Sequence, residues 1–220
     1  MKKRYVLFDF DGVIADTEES NSRYLGLALK EFGIELTEED KQKLIGTHDQ
    51  GFMIELLSRA SQKVTVEQLA RRRKEIGNTY ENGKIAPIPG IVQLVQRLRK
   101  NGIKTALVSS TTTHLIIMGL NRMKMMDLFD VIVCGDMCAE RKPDPECYLK
   151  AMKLLGAMPQ ECLVFEDSTV GIHAAKQAGI EVVAFTGSGN GQDVSEADYV
   201  VASYEESEIM FLEYNYHWQK

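Results

Sequence analysis

Two carboxylates one residue apart, Asp9 and Asp11, end the short apolar run Tyr5-Val6-Leu7-Phe8 and are followed by Gly12. A β-branched and aromatic run of this length reads as a buried strand. Strand alternation sets both acids on one side. At ~4 Å their repulsion is about 4 kcal/mol for an effective dielectric near 20. A hard divalent ion held by oxygens, Mg2+ first among them, neutralises such a pair. A strand closing in an Asx turn at Gly12 accounts for the same residues without an ion. Three later stretches carry comparable groups. Ser109-Ser110-Thr111-Thr112-Thr113 follows a second apolar run and either caps a helix or offers hydroxyls and backbone N–H groups to a phosphate. Lys142 precedes Pro143, which keeps it extended,; it is a solvated lysine or a counter-charge. Glu166-Asp167-Ser168 follows a fourth run and caps the next helix or supplies a second acidic pair. Brought together, two pairs of acids, a hydroxyl and an ammonium make one site, since independent coincidences multiply.

The elements that must position these groups are strands alternating with helices. After the first motif the chain is helical. Thr17 or Asp16 caps a helix bearing Tyr24, Leu25, Ala28, Leu29 and Phe32; Thr37-Glu38-Glu39-Asp40 starts a second, which Gly46 ends,. A third runs from near Asp49 and a fourth from Thr65 to about Tyr80. Residues 17–84 hold no convincing strand and read as an all-helical insert. The Pro-rich stretch Ile85-Ala86-Pro87-Ile88-Pro89-Gly90 returns the chain to a different unit,. Beyond it come a helix over Ile91–Leu98, a strand Ile103–Val108, a helix from about His114 to Asn121 and a strand Val131–Cys134. A helix capped by Asp144 and Pro145, a strand Leu163–Phe165, a helix capped at Ser168 and a strand Val182–Phe185 follow, with Tyr199–Val201 as an added edge. Such alternation predicts an α/β fold: a Rossmann-like parallel sheet covered by helices on both faces. The domains expected are a core of 1–16 with 85–220 and an inserted helical domain of 17–84. Ligand sites in such sheets lie at the carboxyl ends of the strands, where all four motifs fall.

With 220 residues, 44% hydrophobic and 26% charged, the chain can bury a large core, and its net charge of -6 leaves no basic footprint for nucleic acid,. Met1-Lys2-Lys3-Arg4 imitates the start of a signal peptide, but the apolar run behind it ends at Asp9,. No run is long enough to span a bilayer, so a cytoplasmic protein, a monomer or weak dimer, is expected. Cys134, Cys138, Cys147 and Cys162 lack the second pair or histidine that would complete a zinc site and read as reduced structural thiols,. The Tyr- and Trp-containing tail after Glu205 is left unassigned.

Asp9-Phe10-Asp11-Gly12-Val13, Ser109 after its strand, Lys142-Pro143-Asp144-Pro145 and Glu166-Asp167-Ser168-x-x-Gly171 closely resemble the four ordered motifs of the haloacid dehalogenase superfamily. The resemblance spans almost the whole chain, and the helical insert is similar to that superfamily's small α-helical cap. It implies a phosphoryl-transfer enzyme acting on a small phosphorylated metabolite with Mg2+, nearest to sugar-phosphate phosphatases and β-phosphoglucomutases. By position, Asp9 is the implied nucleophile and Asp11 the acid and base. Ser109, with Ser110, and Lys142 hold the phosphoryl group; Asp9, the Asp11 carbonyl, Asp167 and Glu166 hold the metal. Gly46, Thr47, His48 and Asp49 in the cap are then expected to set specificity, and the cap is expected to move as a lid hinged near Ala15-Asp16 and Ile85–Pro89. Resembling mutases carry a histidine early in the first cap helix and an arginine after the cap-loop glycine. Here those places hold Ser20-Asn21-Ser22 and Thr47-His48-Asp49, which favours a phosphatase over a mutase. A phospho-accepting signalling domain would need about half this length and no insert. A catalytically silent relative would not need every motif residue.

Overall fold

The computed structural model describes residues 3–44 and 50–205. Its strands are β1 (Tyr5–Phe8), β2 (Lys104–Val108), β3 (Val131–Val133), β4 (Cys162–Glu166), β5 (Glu181–Phe185) and β6 (Tyr199–Val201). They form one sheet in the order β3-β2-β1-β4-β5-β6, with every neighbouring pair parallel. β1 is central and wholly buried, which is why its sequence is a continuous apolar run rather than an alternating one. The strand order reverses between β1 and β4. That crevice is where ligands bind in open parallel sheets.

Two compact units are present: the chain up to Asp16 together with that from Ala86 on, and Thr17–Ile85. The second is built from α1 (Glu18–Glu31), α2 (Glu38–Leu44), α3 (Gln50–Ser58) and α4 (Val66–Ile76). Its core joins Ala28, Leu29, Ile34, Phe52, Leu56 and Leu69. At the start of α2, Thr37 Oγ1 accepts from Asp40 N–H (3.1 Å) while the Asp40 carboxylate accepts from Thr37 N–H (2.9 Å), a reciprocal cap with Asp in place of Glu,. The Asp40 carboxylate also accepts from Arg59 at 2.9 Å. Helix α4 stops at Ile76 instead of reaching Tyr80. Gly77 turns to φ +149, and a Cβ there would lie 2.8 Å from the Tyr24 ring, so the chain must leave the helix at a glycine.

The sheet unit adds α5 (Ile91–Lys100), α6 (Thr113–Met123), α7 (Glu146–Leu155) and α8 (Thr169–Gln177). α7 and α8 cover the face that carries Tyr5, Leu7, Val164 and Val182. Strand alternation sends Phe8, Phe165 and Phe185 to the other face, where Phe8 stacks on Phe165 (5.2 Å) and Phe185 on Tyr204 (4.4 Å). α6 extends two residues beyond the expected end, to Met123, and closes at Lys124 with φ +57. At α7 the N-cap is Pro145; Asp144 still contributes, its Oδ1 accepting from Glu146 N–H at 2.9 Å. The strands leaving and re-entering this unit are tied where Ile88 N–H donates to the Ile14 carbonyl (2.9 Å) and Ala15 bridges Pro87. Cys134, Cys147 and Cys162 are free and buried, and burial pushes their thiols up to about 11, 12 and 12. They are inert core residues. Among the described residues no helix is long and apolar enough to cross a membrane. The tail after Glu205 lies outside the described residues.

Tyr204 locks the end of the sheet unit to its beginning. Its ring packs on Phe185, and its hydroxyl donates to the buried Val13 carbonyl at 2.5 Å. Tyr204→Phe, which orphans that carbonyl, should cost about 1–3 kcal/mol, and Tyr204→Ala about 3–5 kcal/mol. Guanidinium unfolding measures both; wild-type stability in Tyr204→Ala would show that this contact does not hold the fold.

Candidate active site

Asp9 directly follows β1, and its N–H still pairs with the Phe165 carbonyl at 3.0 Å, so the sheet itself aims the side chain. The chain then turns back tightly: Ile14 N–H and Ala15 N–H both donate to the Phe10 carbonyl (2.8 and 3.0 Å). Gly12 sits at φ +77, and a Cβ there would fall 1.8 Å from Asp167 Oδ2. Glycine is required twice over, by the turn and by the approach of the β4 loop. Glu166 is the last residue of β4 rather than the first of its loop, and a Cβ on Gly171 would lie 1.9 Å from its Oε1. That accounts for the glycine five residues on.

Lys142 draws the acids together. Its side chain is 2% exposed, and its Nζ donates to Asp9 Oδ1 (2.5 Å), Glu166 Oε1 (2.6 Å) and the Val108 carbonyl (3.0 Å). Three acceptors use all three ammonium protons. The Tyr148 ring lies 5.0 Å below the ammonium, and the Tyr148 hydroxyl donates to Glu166 Oε1 at 2.8 Å. The other Glu166 oxygen accepts from Asp167 N–H (3.1 Å), Ser168 N–H (3.3 Å) and Ser168 Oγ (3.1 Å). Burial alone would lower the Lys142 pKa, but Asp9 and Glu166 overcome it and raise it well above 10.5, so the ammonium stays charged.

Among the described residues, Asp9, Glu166 and Asp167 form a group of buried carboxylates whose oxygens lie within 4.8 Å of one another. Against them stands one ammonium. Burial, with Glu166 and Asp11 nearby and Lys142 opposing, moves Asp9 from 3.8 up to about 8; burial, Glu166 and Asp9 move Asp167 up to about 9. An all-oxygen, electron-rich donor set that resists ionising by itself fits a hard divalent cation. The Asp11 carboxylate is not part of that group; Thr111 Oγ1, from the loop after β2, donates to Asp11 Oδ2 at 3.1 Å.

That loop is not a helix cap of the usual kind. The Thr112 side chain makes no cap bond to α6; the Thr113 N–H is instead taken by Asp136 Oδ1 at 2.8 Å. Ser109 is buried beside the acids' strand ends, its Oγ accepting from Thr111 N–H at 3.0 Å. Ser110 is half-buried, and its carbonyl packs so closely on Gly135 that a Cβ there would lie 2.2 Å away. Gly46, Thr47, His48 and Asp49 lie outside the described residues. Sequence reasoning missed three partners. Tyr148 sits in the apolar stripe of α7, where spacing marks only core. Thr111 was hidden within a run of hydroxyl residues. Asn190, whose Nδ2 donates to Asp167 Oδ2 at 2.7 Å, lies in a polar loop 23 residues on with no motif of its own.

Residues 6–185 match the haloacid dehalogenase-like hydrolase family, and the chain belongs to that family. More particularly, it is 32% identical over 176 residues to the phosphorylated carbohydrates phosphatase of Thermotoga maritima, covering 80% of this chain and 82% of that one. It is equally 32% identical over 203 residues to the beta-phosphoglucomutase of Bacillus subtilis, covering 89% and 88%. Among solved structures, CbbY from Rhodobacter sphaeroides in complex with phosphate superposes with a TM-score of 0.74 at 27% identity, covering 93% of this chain and 96% of that one. The chain is thus an enzyme of the hydrolase type, with phosphatases among its relatives.

Because Asp9 and Asp167 hold their protons more tightly folded than unfolded, metal-free stability should fall as pH rises from near 3.8 through about 8 and 9,. A divalent cation bound by this cluster would replace those protons. The gap in melting temperature between protein with cation and protein in chelator should therefore widen with pH. A gap that stays constant from acid to alkaline pH would contradict this reading of the cluster.

Proposed function

We propose that the protein is a Mg2+-dependent phosphatase that hydrolyses a small phosphate monoester, a sugar phosphate or similar metabolite, through a phospho-aspartate on Asp9. The observation that carries this reading is the 2.5 Å contact between Lys142 Nζ and Asp9 Oδ1, beside Glu166 and Asp167 at the strand-order reversal. Mg2+ held by Asp9, Asp167 and the Asp11 carbonyl would supply positive charge against the phosphoryl oxygens and the attacking carboxylate. Glu166, its oxygens already engaged by Lys142, Tyr148 and backbone N–H groups, acts chiefly as the lysine's counter-ion.

Asp9 attacks phosphorus, the bond to the leaving oxygen breaks, and Asp11 gives that oxygen its proton. Asp11 then takes a proton from the water that attacks phospho-Asp9, which releases inorganic phosphate, frees the Asp9 carboxylate and returns Asp11 to its protonated form. The Thr111 hydroxyl holds Asp11 for these transfers. Lys142 exchanges its Asp9 contact for a phosphoryl oxygen as charge accumulates there, and Ser109 with Ser110 completes the phosphate's surroundings. The helical unit, with Gly46, Thr47, His48 and Asp49, serves as a cap that sets specificity and excludes water on closing.

A phosphatase is favoured over a mutase by Asn21. Its Oδ1 accepts from Arg73 (2.9 Å) and Thr79 (2.8 Å), and an amide so engaged cannot act as a base. β-Glucose 1-phosphate, if cleaved, should yield glucose and inorganic phosphate only in the presence of Mg2+, and Asp11→Asn should slow turnover roughly 10²–10⁴-fold. Sustained glucose 6-phosphate formation faster than phosphate release would make the chain a mutase; full activity in chelator would remove the metal from the scheme.

A further inference from the structure

Asp167 is buried, 7% exposed, among acids. Lys142, the cation at this site, is already shared between Asp9 and Glu166. The donor that meets the Asp167 carboxylate comes instead from the loop joining β5 to β6. Asn190 Nδ2 donates to Asp167 Oδ2 at 2.7 Å and to the Asp167 carbonyl at 3.2 Å. Asn190 is itself held: its Oδ1 accepts from Gln192 N–H at 3.2 Å. That loop is fastened to the start of α8, where Gln192 Oε1 accepts from Thr169 N–H (3.3 Å) and Thr169 Oγ1 donates to the Asp193 carbonyl (2.9 Å). One amide thus grips one aspartate at two points, across 23 residues of chain.

From this geometry we infer that Asn190 is the positioning residue for Asp167 as a cation ligand: by occupying Oδ2 and anchoring the backbone, it leaves Oδ1 turned to the cation. The inference rests on the proposed metal-dependent reading. Oδ2 is otherwise hemmed in by Gly12, whose missing Cβ makes room for it. An amide donor is suited to the task because it fixes the carboxylate without bringing a positive charge that would compete with the ion. Partners of this outer kind are typically worth roughly 10–100-fold in metal affinity.

Mn2+ binding to the full chain, read by the loss of free-ion EPR signal and needing no turnover, tests this. Asn190→Leu keeps the bulk and removes the donor; Asn190→Ala removes the donor without adding any strain. Both should weaken Mn2+ binding roughly 10-fold or more. Gln192→Ala, which loosens the same loop without touching Asp167, should bind Mn2+ as wild type does. Unchanged Mn2+ affinity in both Asn190 variants, or an equal loss in Gln192→Ala, would overturn the role of Asn190 and leave the metal-dependent reading intact. Wild-type protein that binds no Mn2+ would overturn that reading, and this inference with it.

Discussion

Everything around the site answers to one constraint: among the described residues, three carboxylates are buried together at the ends of β1 and β4, with the Lys142 ammonium between them. Burying charge without compensation is prohibitive, and removing one partner from a buried ionic cluster typically costs about 3–5 kcal/mol. Lys142 can serve two acids because its loop brings it in from beyond β3 while Tyr148 supports it from α7. Gly12 and Gly171 are what let the carboxylates come this close. The remaining excess of negative charge is the feature that the proposed divalent cation would neutralise,. A site strained in this manner is a poor contributor to stability and a good one to catalysis.

The sheet explains why the strain can be sustained. β1 and β4 are buried along their whole lengths and paired to each other in register, with Phe8 opposite Phe165 immediately before the acids. Asp9 and Glu166 therefore project from rigid backbone, whereas the hydroxyls of Ser109 and Thr111 come from a loop. Asp11, held by the Thr111 hydroxyl, lies one step outward from these strand ends.

Much of this was legible in the sequence because the decisive residues interrupt strong local patterns. An acidic pair after Tyr5-Val6-Leu7-Phe8, or a lysine before proline, cannot be absorbed into a strand or helix. The parallel fold was equally legible, since helix and strand periods alternate with turn residues between them. What escaped were residues whose local role and site role coincide. Tyr148 has the spacing of a core residue and is one. Asn190 sits in Ser188-Gly189-Asn190-Gly191, a stretch whose composition signals only a turn. The direction of Asp11 could not be read because period-two alternation ends where the chain turns back at Gly12. α4 ended early for a tertiary reason, the approach of Tyr24 to Gly77, which no helix propensity encodes.

The central claim is that the burial of Asp9 beside Lys142 makes it the group that carries phosphate. Borohydride reduction during steady-state turnover of a phosphate monoester, followed by peptide mapping, reads this directly, because an aspartyl phosphate is reduced while a free carboxylate is not. The account predicts homoserine in place of Asp9, dependent on both substrate and Mg2+. Reduction at another acid, or turnover with no reducible intermediate at Asp9, would contradict it.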